Sequence, residues 1–278
     1  MSQVRVHNFS ISLDGFGTGE GITFDAPFGH AGQRLHEWRF TTRAWRSMTG
    51  QEGGSSGIDQ VFAEQHDIGI GAEIMGRAKF GPQTGPWTDV STADEWRGWW
   101  GPNPPFHTPV FVLTHHPRPS IEMEGGTVFH FVDANPKQAL DLAREAAGDL
   151  DVRIGGGPTV VRDFLAAGLV DILHLVQVPI VLGRGVRLWN GLEGSRSTTT
   201  SKLSRRPAVS PTSPSPVDNE QEVASRFRDP SPFSRAGRRK GVDAQPPWCP
   251  GWAARRRGGA RDGRGPGWML SGSGNGSG

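Results

Sequence analysis

Along the first 194 positions, polar and apolar residues alternate with two different periods, and the order of those periods predicts an α/β chain. VRVHNFSISLDG (Val4–Gly15) alternates residue by residue and ends in Asp-Gly, a strand entering a turn. After a glycine-rich loop, GQRLHEWRFTTRAWRSM spaces Leu35, Trp38, Phe40 and Trp45 at imperfect helical intervals, and Gly57–Asp67 predicts a short helix. IGIGAEIM (Ile68–Met75) is a buried strand closed by Gly76-Arg77, and PVFVLTHH (Pro109–His116) and GTVFHFV (Gly126–Val132) are two more. NPKQALDLAREAAGD predicts a helix with Pro136 near its start and Gly148 at its end. Asp151–Asp171 reads as strand, glycine turn and helix, and Ile172–Trp189 as a strand interrupted by Pro179 and turned by Gly-Arg-Gly. The order is strand, helix, three strands, helix, strand, helix, strand, which implies a mostly parallel sheet covered by helices. Between Phe80 and His107 lie four tryptophans and five prolines, a loop folded over something. It either shields a site from water or packs as a core or dimer surface.

The periodicity stops near Gly194, and charge changes sign there. Residues 1–194 carry 15 Lys and Arg against 22 Asp and Glu, a net of −7. Residues 195–278 carry 15 against 6, a net of +9, so the chain's overall +2 conceals an acidic body and a basic tail. The expected organisation is therefore a domain over 1–194 and a disordered, basic, low-complexity tail over 195–278. The single cysteine, Cys249, lies in the tail, which excludes an intrachain disulfide and a Cys-based metal site. No apolar run approaches ~18 residues, and MSQVRVHNFS lacks a signal-peptide core, so a soluble cytoplasmic protein with no membrane partner is expected.

Three strand ends carry candidate chemistry. In DVRIGGGPTVVRDFL a β-rich run enters Gly155, Gly156 and Gly157, followed by Pro158 and Thr159 at a helix start. Exposed N–H groups and the positive end of that helix suit a phosphate, though the same triplet also serves a tight turn without a ligand. Its spacing is not the dinucleotide fingerprint. EIMGRAKFG offers Gly76, Arg77 and Lys79, and VLTHHPR offers Thr114, His115 and Arg118. In open α/β sheets, ligands bind beyond strand C-termini, so the three ends together favour a nucleotide site. His107, His115, His116 and His130 cluster in sequence, but no carboxylate stands at a familiar ligand spacing, and no metal is expected. Asp14 and Glu37 are the carboxylates placed to reach a central cleft. Otherwise Asp14 is a turn residue and Glu37 a surface helix residue.

These stretches resemble the dihydrofolate-reductase-like superfamily, in particular the reductase domain of the bifunctional riboflavin-biosynthesis deaminase–reductase and its stand-alone relatives. The resemblance rests on SISLDG, IMGRAKF, VFVLTHHPR, the long block RIGGGPTVVRDFLAAGLVDILHLVQVPIVLGRG and RLW, together spanning most of residues 4–192. It implies a three-layer α/β/α fold and an NADPH-dependent reductase acting on a C=N or C=O group of a small pterin- or pyrimidine-like molecule. The activity would be of the 5-amino-6-(5-phosphoribosylamino)uracil reductase type, in a homodimer. It places the cofactor's pyrophosphate at Gly155–Gly157 with Thr159 and Gly183 nearby, and its phosphates and adenosine end at Gly76, Arg77 and Thr114–Arg118. Asp14 and the first helix, with Glu37, would face the substrate. The proton-donating acid of dihydrofolate reductases has no clear counterpart, and the deaminase half is absent.

The same resemblance leads one to expect a closing pair of strands where SRSTTTSKLSRRPAVSPTSPSP stands. Written in permitted GC-rich codons and read one frame over, Gly194 to Val217 becomes LEVDYDVEAVSSPSGVTHLTFTR, with a stop supplied at Val217-Asp218. That hidden text alternates, turns at Ser-Pro-Ser-Gly and alternates again. The expectation is a one-base frameshift near Gly194 that removes the C-terminal strands. The alternatives are a genuine basic tail that binds nucleic acid, or a nucleotide-binding protein without catalysis.

Overall fold

A computed structural model describes residues 2–87 and 96–193. Its centre is a seven-stranded sheet: β1 (Val4–Ser12), β3 (Ile70–Gly76), β4 (Pro109–Leu113), β5 (Ile121–Glu122), β6 (Val128–Val132), β7 (Asp151–Gly156) and β8 (Ile172–Val178). The order is β5-β6-β4-β3-β7-β1-β8, and every pairing is parallel except the antiparallel β5–β6 edge. The expected α/β class and mostly parallel sheet are therefore present.

Strand alternation sends neighbouring residues to opposite faces. Ile74 and Phe111 face a core shared with Val4, Val6, Val152 and Ile154, while Met75, Val110 and Val112 face a second, aromatic core. The first face is covered by α5 (Pro136–Ala147) and α6 (Pro158–Ala166). α5 starts with a capping box in which Gln138 N donates to Asn135 Oδ1 at 3.0 Å and Asn135 N donates to Gln138 Oε1 at 3.1 Å. It buries Ala139, Leu140, Ala143 and Ala147 and ends at Gly148, whose φ of 61° favours glycine.

The second face is covered less regularly. Trp96 and Trp99 pack edge-on at 4.8 Å and fill the aromatic core with Phe80, which closes the short α4 (Arg77–Phe80). The tryptophan-rich segment thus packs against the sheet, and its residues 88–95 lie outside the described residues. Over the β1 end sit α1 (Glu37–Phe40), α2 (Arg43–Met48) and α3 (Ile58–Glu64).

Two elements differ from expectation. The single helix expected over residues 32–48 is broken, because Thr42 adopts an extended conformation and works as a cap. Its hydroxyl donates to Arg39 O at 2.7 Å and accepts from Trp45 N at 3.2 Å, ending α1 and starting α2. The long strand expected over 172–189 stops at Val178, before Pro179. The chain then returns as β9 (Val186–Arg187), paired antiparallel with β2 (Phe16–Thr18) in a separate ribbon. Within the described residues β8 pairs only with β1. The frameshift expectation concerns residues 194–278, outside the described residues.

Candidate functional site

The C-terminal ends of β3, β4 and β7 open onto one cavity of about 1260 Å³. A parallel sheet aligns its strand ends, so residues far apart in sequence meet there without further design. Gly76, Arg77, Thr114, His115, Gly155, Gly156, Gly157 and Thr159 all line it, so eight of the expected cofactor-side residues converge.

The glycine turn is a cradle by necessity. Gly156 has φ 109°, a conformation that disfavours any side chain. A Cβ on Gly155 would stand 2.0 Å from Glu73 Oε1 and 2.6 Å from Lys79 Nζ, and one on Gly76 would stand 2.9 Å from Val160 Cγ2. Gly157 caps α6 with no side-chain hydrogen bond and Pro158 follows, leaving the N–H groups of Thr159 and Val160 beyond the reach of intrahelical acceptors. Beside this turn, Arg77 Nη1 donates to Gly85 O at 2.5 Å and to Thr114 Oγ1 at 3.5 Å. The guanidinium lies 3.8 Å over the Trp87 ring. Its Nε and Nη2 are buried with no partner among the described residues, and burial lowers its pKa. A cationic fork with two unspent donors, next to unspent helix N–H groups, fits the phosphates of a nucleotide.

The other half of the cavity is an aromatic wall over a charged floor. Phe9 of β1, whose ring borders Gly156, with Trp38 and Phe40 of α1 and Trp45 of α2, form the wall. Trp38 is oriented by its Nε1, which donates to Ser10 Oγ at 2.9 Å. The floor is a network that reading by segments missed. Glu73, fully buried on β3, accepts from Lys79 Nζ at 2.6 Å and from Arg153 Nε at 2.7 Å. Arg153 also donates from Nη2 to Glu73, and from Nη1 to Asp67 and to His66 O at 2.9 Å. Burial works against the Glu73 carboxylate, but Arg153 and Lys79 outweigh it and hold the pKa below the ordinary value. Burial likewise works against Arg153, and the carboxylates of Glu73 and Asp67 raise it nonetheless. At Lys79 burial outweighs Glu73, and the pKa is lowered.

The histidines of this floor are neutral near pH 7. His7 is lowered to about 4 by burial and then by His174, and His36 to about 3 by burial and then by Arg39 and Lys79. Burial, reinforced by Arg153, drives His66 well below its ordinary value. Among the described residues no group of three or more His, Cys, Asp or Glu is placed to hold a metal ion.

Four expected site residues lie elsewhere. Asp14 is outside the cavity lining: Ser12 Oγ donates to its Oδ1 at 2.6 Å, and the N–H groups of Leu182 and Gly183 donate to its two oxygens at 3.1 and 2.8 Å. Its carboxylate fastens the turn after β1 to the loop after β8. Glu37 is exposed in the first turn of α1 and also does not line the cavity. Arg118 stacks on Trp87 at 4.4 Å and Phe131 at 4.5 Å and donates to Trp96 O at 3.2 Å, so it braces the aromatic core. Gly183 holds Asp14, and it is Gly185 that reaches the cavity wall. Lys79, read beside Arg77 as a phosphate ligand, turns instead to Glu73. A signal for the floor did exist: Glu73 and Arg153 are charges inside otherwise apolar strands, which demands a partner.

The family model described as RibD C-terminal domain matches residues 6–209. Among solved structures, the chain is similar to a pyrimidine reductase-like protein from Corynebacterium diphtheriae, with 18% identity over 74% of this chain and 88% of that chain and a TM-score of 0.35. No curated protein matches the chain. Among the described residues no helix is long and apolar enough to cross a membrane.

Proposed function

The chain belongs to the RibD C-terminal domain family, a family of reductases, and from this premise we propose that it is an NADPH-dependent reductase of a small heterocyclic molecule bearing a C=N or C=O group. The observation that carries the reading is the joining, in one cavity, of a phosphate cradle and an aromatic, charged compartment. The residues present fit the cofactor: Gly155–Gly157 and the α6 N-terminus for the pyrophosphate, and Arg77, with Thr114 beside it, for a phosphate. When bound, the reduced nicotinamide supplies the hydride.

The protein's own work is positioning. The wall of Phe9, Trp38, Phe40 and Trp45 offers flat apolar surface to a planar ring. Lys79 and Arg153, immobilised by Glu73, give the floor fixed N–H donors that need no reorganisation when charge develops on the substrate. Ser10, in the same lining, is held by Trp38.

The test is cofactor titration followed by a turnover panel of pterin, pyrimidine and simple carbonyl substrates. NADPH binding with oxidation by at least one heterocycle is the expected result. Binding without turnover across the panel would favour a non-catalytic nucleotide-binding protein, and no binding at all would remove the nucleotide reading.

A further inference from the structure

The charges of the cavity floor do not balance among themselves. Glu73 is shared between Lys79 and Arg153, and Asp67 is taken by Arg153. Both carboxylates are therefore committed, to two cations. Arg39, on α1, faces the same cavity as a third cation. Its guanidinium makes no hydrogen bond or ion pair with any described residue, its Nε is buried and unpartnered, and its carbon lies 5.4 Å over the Trp45 ring. Burial pulls its pKa down to about 10, with Arg153 adding to the fall and Asp67 and Glu73 opposing it. Arg39 also contributes to the lowering of Lys79, so the two cations feel one another across the floor. The three histidines that line this end are neutral and supply no compensation. A half-buried cation whose nearest carboxylates are already paired elsewhere is poorly compensated, and an anionic ligand would complete its surroundings.

The shape of the place limits what that ligand is. The Arg39 guanidinium lies over the Trp45 ring, which packs on Phe40 with centroids 4.8 Å apart, and Trp38 lines the same cavity. A guanidinium presents its N–H groups in a plane that matches the two oxygens of a carboxylate. We propose that this end of the cavity is a site for an aryl carboxylate, a planar monoanion whose ring lies against Trp38, Phe40 and Trp45 while Arg39 and, beside it, Lys79 hold its oxygens. The proposal deepens the substrate side of the reductase reading and rests on it only in giving the ligand the role of substrate.

The test uses the full chain without cofactor and calorimetric titration with three probes: 2-naphthoate, its neutral isostere 2-naphthamide, and 2-naphthyl phosphate. Naphthoate is expected to bind at least tenfold more tightly than naphthamide, and Arg39→Gln to lose that preference while Arg39→Lys keeps part of it. Equal binding of naphthoate and naphthamide overturns the proposal. So does loss of naphthoate binding in Arg77→Gln but not in Arg39→Gln, which would seat the anion at the glycine turn. A tenfold preference for the phosphate over the carboxylate, abolished by Arg39→Gln, overturns the monoanion assignment. Should Arg39→Gln fail to fold, the naphthoate–naphthamide comparison on the unaltered chain still decides. NADPH binding without naphthoate selectivity sinks this proposal alone, and naphthoate selectivity without NADPH binding sinks the reductase reading alone.

Discussion

Glu73 and Arg153 stand opposite one another in register on the parallel strands β3 and β7, and their side chains close an ion pair inside the sheet. Breaking such a pair by removing one partner leaves the other charge buried and uncompensated, at about 3–5 kcal/mol. Glu73→Gln is expected to lose about that much stability, measured by urea unfolding. A Glu73→Gln/Arg153→Met double variant should lose less than the two single losses combined. Additive losses would show that the two residues do not act as a pair.

Gly155→Ala tests the same network from the other side. A methyl group there would stand 2.0 Å from Glu73 Oε1, a side-chain end that can give way only by loosening its bonds to Arg153 and Lys79. The expected cost is roughly 3 kcal/mol, the upper end for an overpacked site, read as a lowered thermal midpoint. Gly157→Ala meets nothing within 4 Å and is the matched control, expected to unfold near the unaltered protein.

What was legible in the sequence followed from short-range physics. Alternation located β1, short apolar or β-rich runs located β3, β4, β6, β7 and β8, and Asn135-Pro136 with Gly148 framed α5. The glycine turn was legible because three consecutive glycines before a proline have few other uses. The floor was not, because Asp67, Glu73 and Lys79 lie in one stretch and Arg153 some eighty residues on, and the register of β3 against β7 brings Glu73 and Arg153 together. Asp14 misled for a related reason. A carboxylate at a strand end looks available until the distant loop at Leu182–Gly183 folds over it.

Asp14 carries a pH signature. Its pKa falls from the ordinary 3.8 to about 2, chiefly through the Ser12 hydroxyl; desolvation opposes the fall, and the N–H groups of Leu182 and Gly183 lower it further. A depressed folded pKa adds stability above about pH 4, and that stability is lost as pH falls from about 4 to about 2. Asp14→Asn should flatten the acid limb of the stability–pH curve in this window, followed by unfolding at fixed urea. An unchanged acid limb would show that the loop contact is not maintained in solution.

Arg77→Met removes the two unspent donors beside the glycine turn. NADPH affinity is expected to fall about tenfold to a hundredfold, as for loss of a charge-assisted hydrogen bond, with the unfolding midpoint little changed. Calorimetric titration checks the first and thermal unfolding the second.

The end of the chain gives a prediction about the gene as well as the protein. Among the described residues β8 (ILHLVQV) pairs with β1, and it is half-buried along most of its length. The family match runs past Gly194 to residue 209, and nucleotide sequencing tests the expected one-base shift, which requires codons that yield the alternating text and a stop near Asp218. A protein carrying that alternative ending should melt at least about 5 °C higher, at roughly 2–4 °C per kcal/mol for a domain of this size.

The aromatic wall rests on α1 and α2, helices of four and six residues that meet at the Thr42 cap. Helices so short hold their shape through packing alone, and none of their strands of backbone belongs to the sheet. Drift in sequence there costs the fold little, whereas the cradle and the charged floor are written into β3 and β7 and tolerate almost none. On the proposed reductase reading, descendants of such a chain would keep the electron donor while exchanging the molecule it reduces, and Trp38, Phe40 and Trp45 are where that exchange would first be recorded.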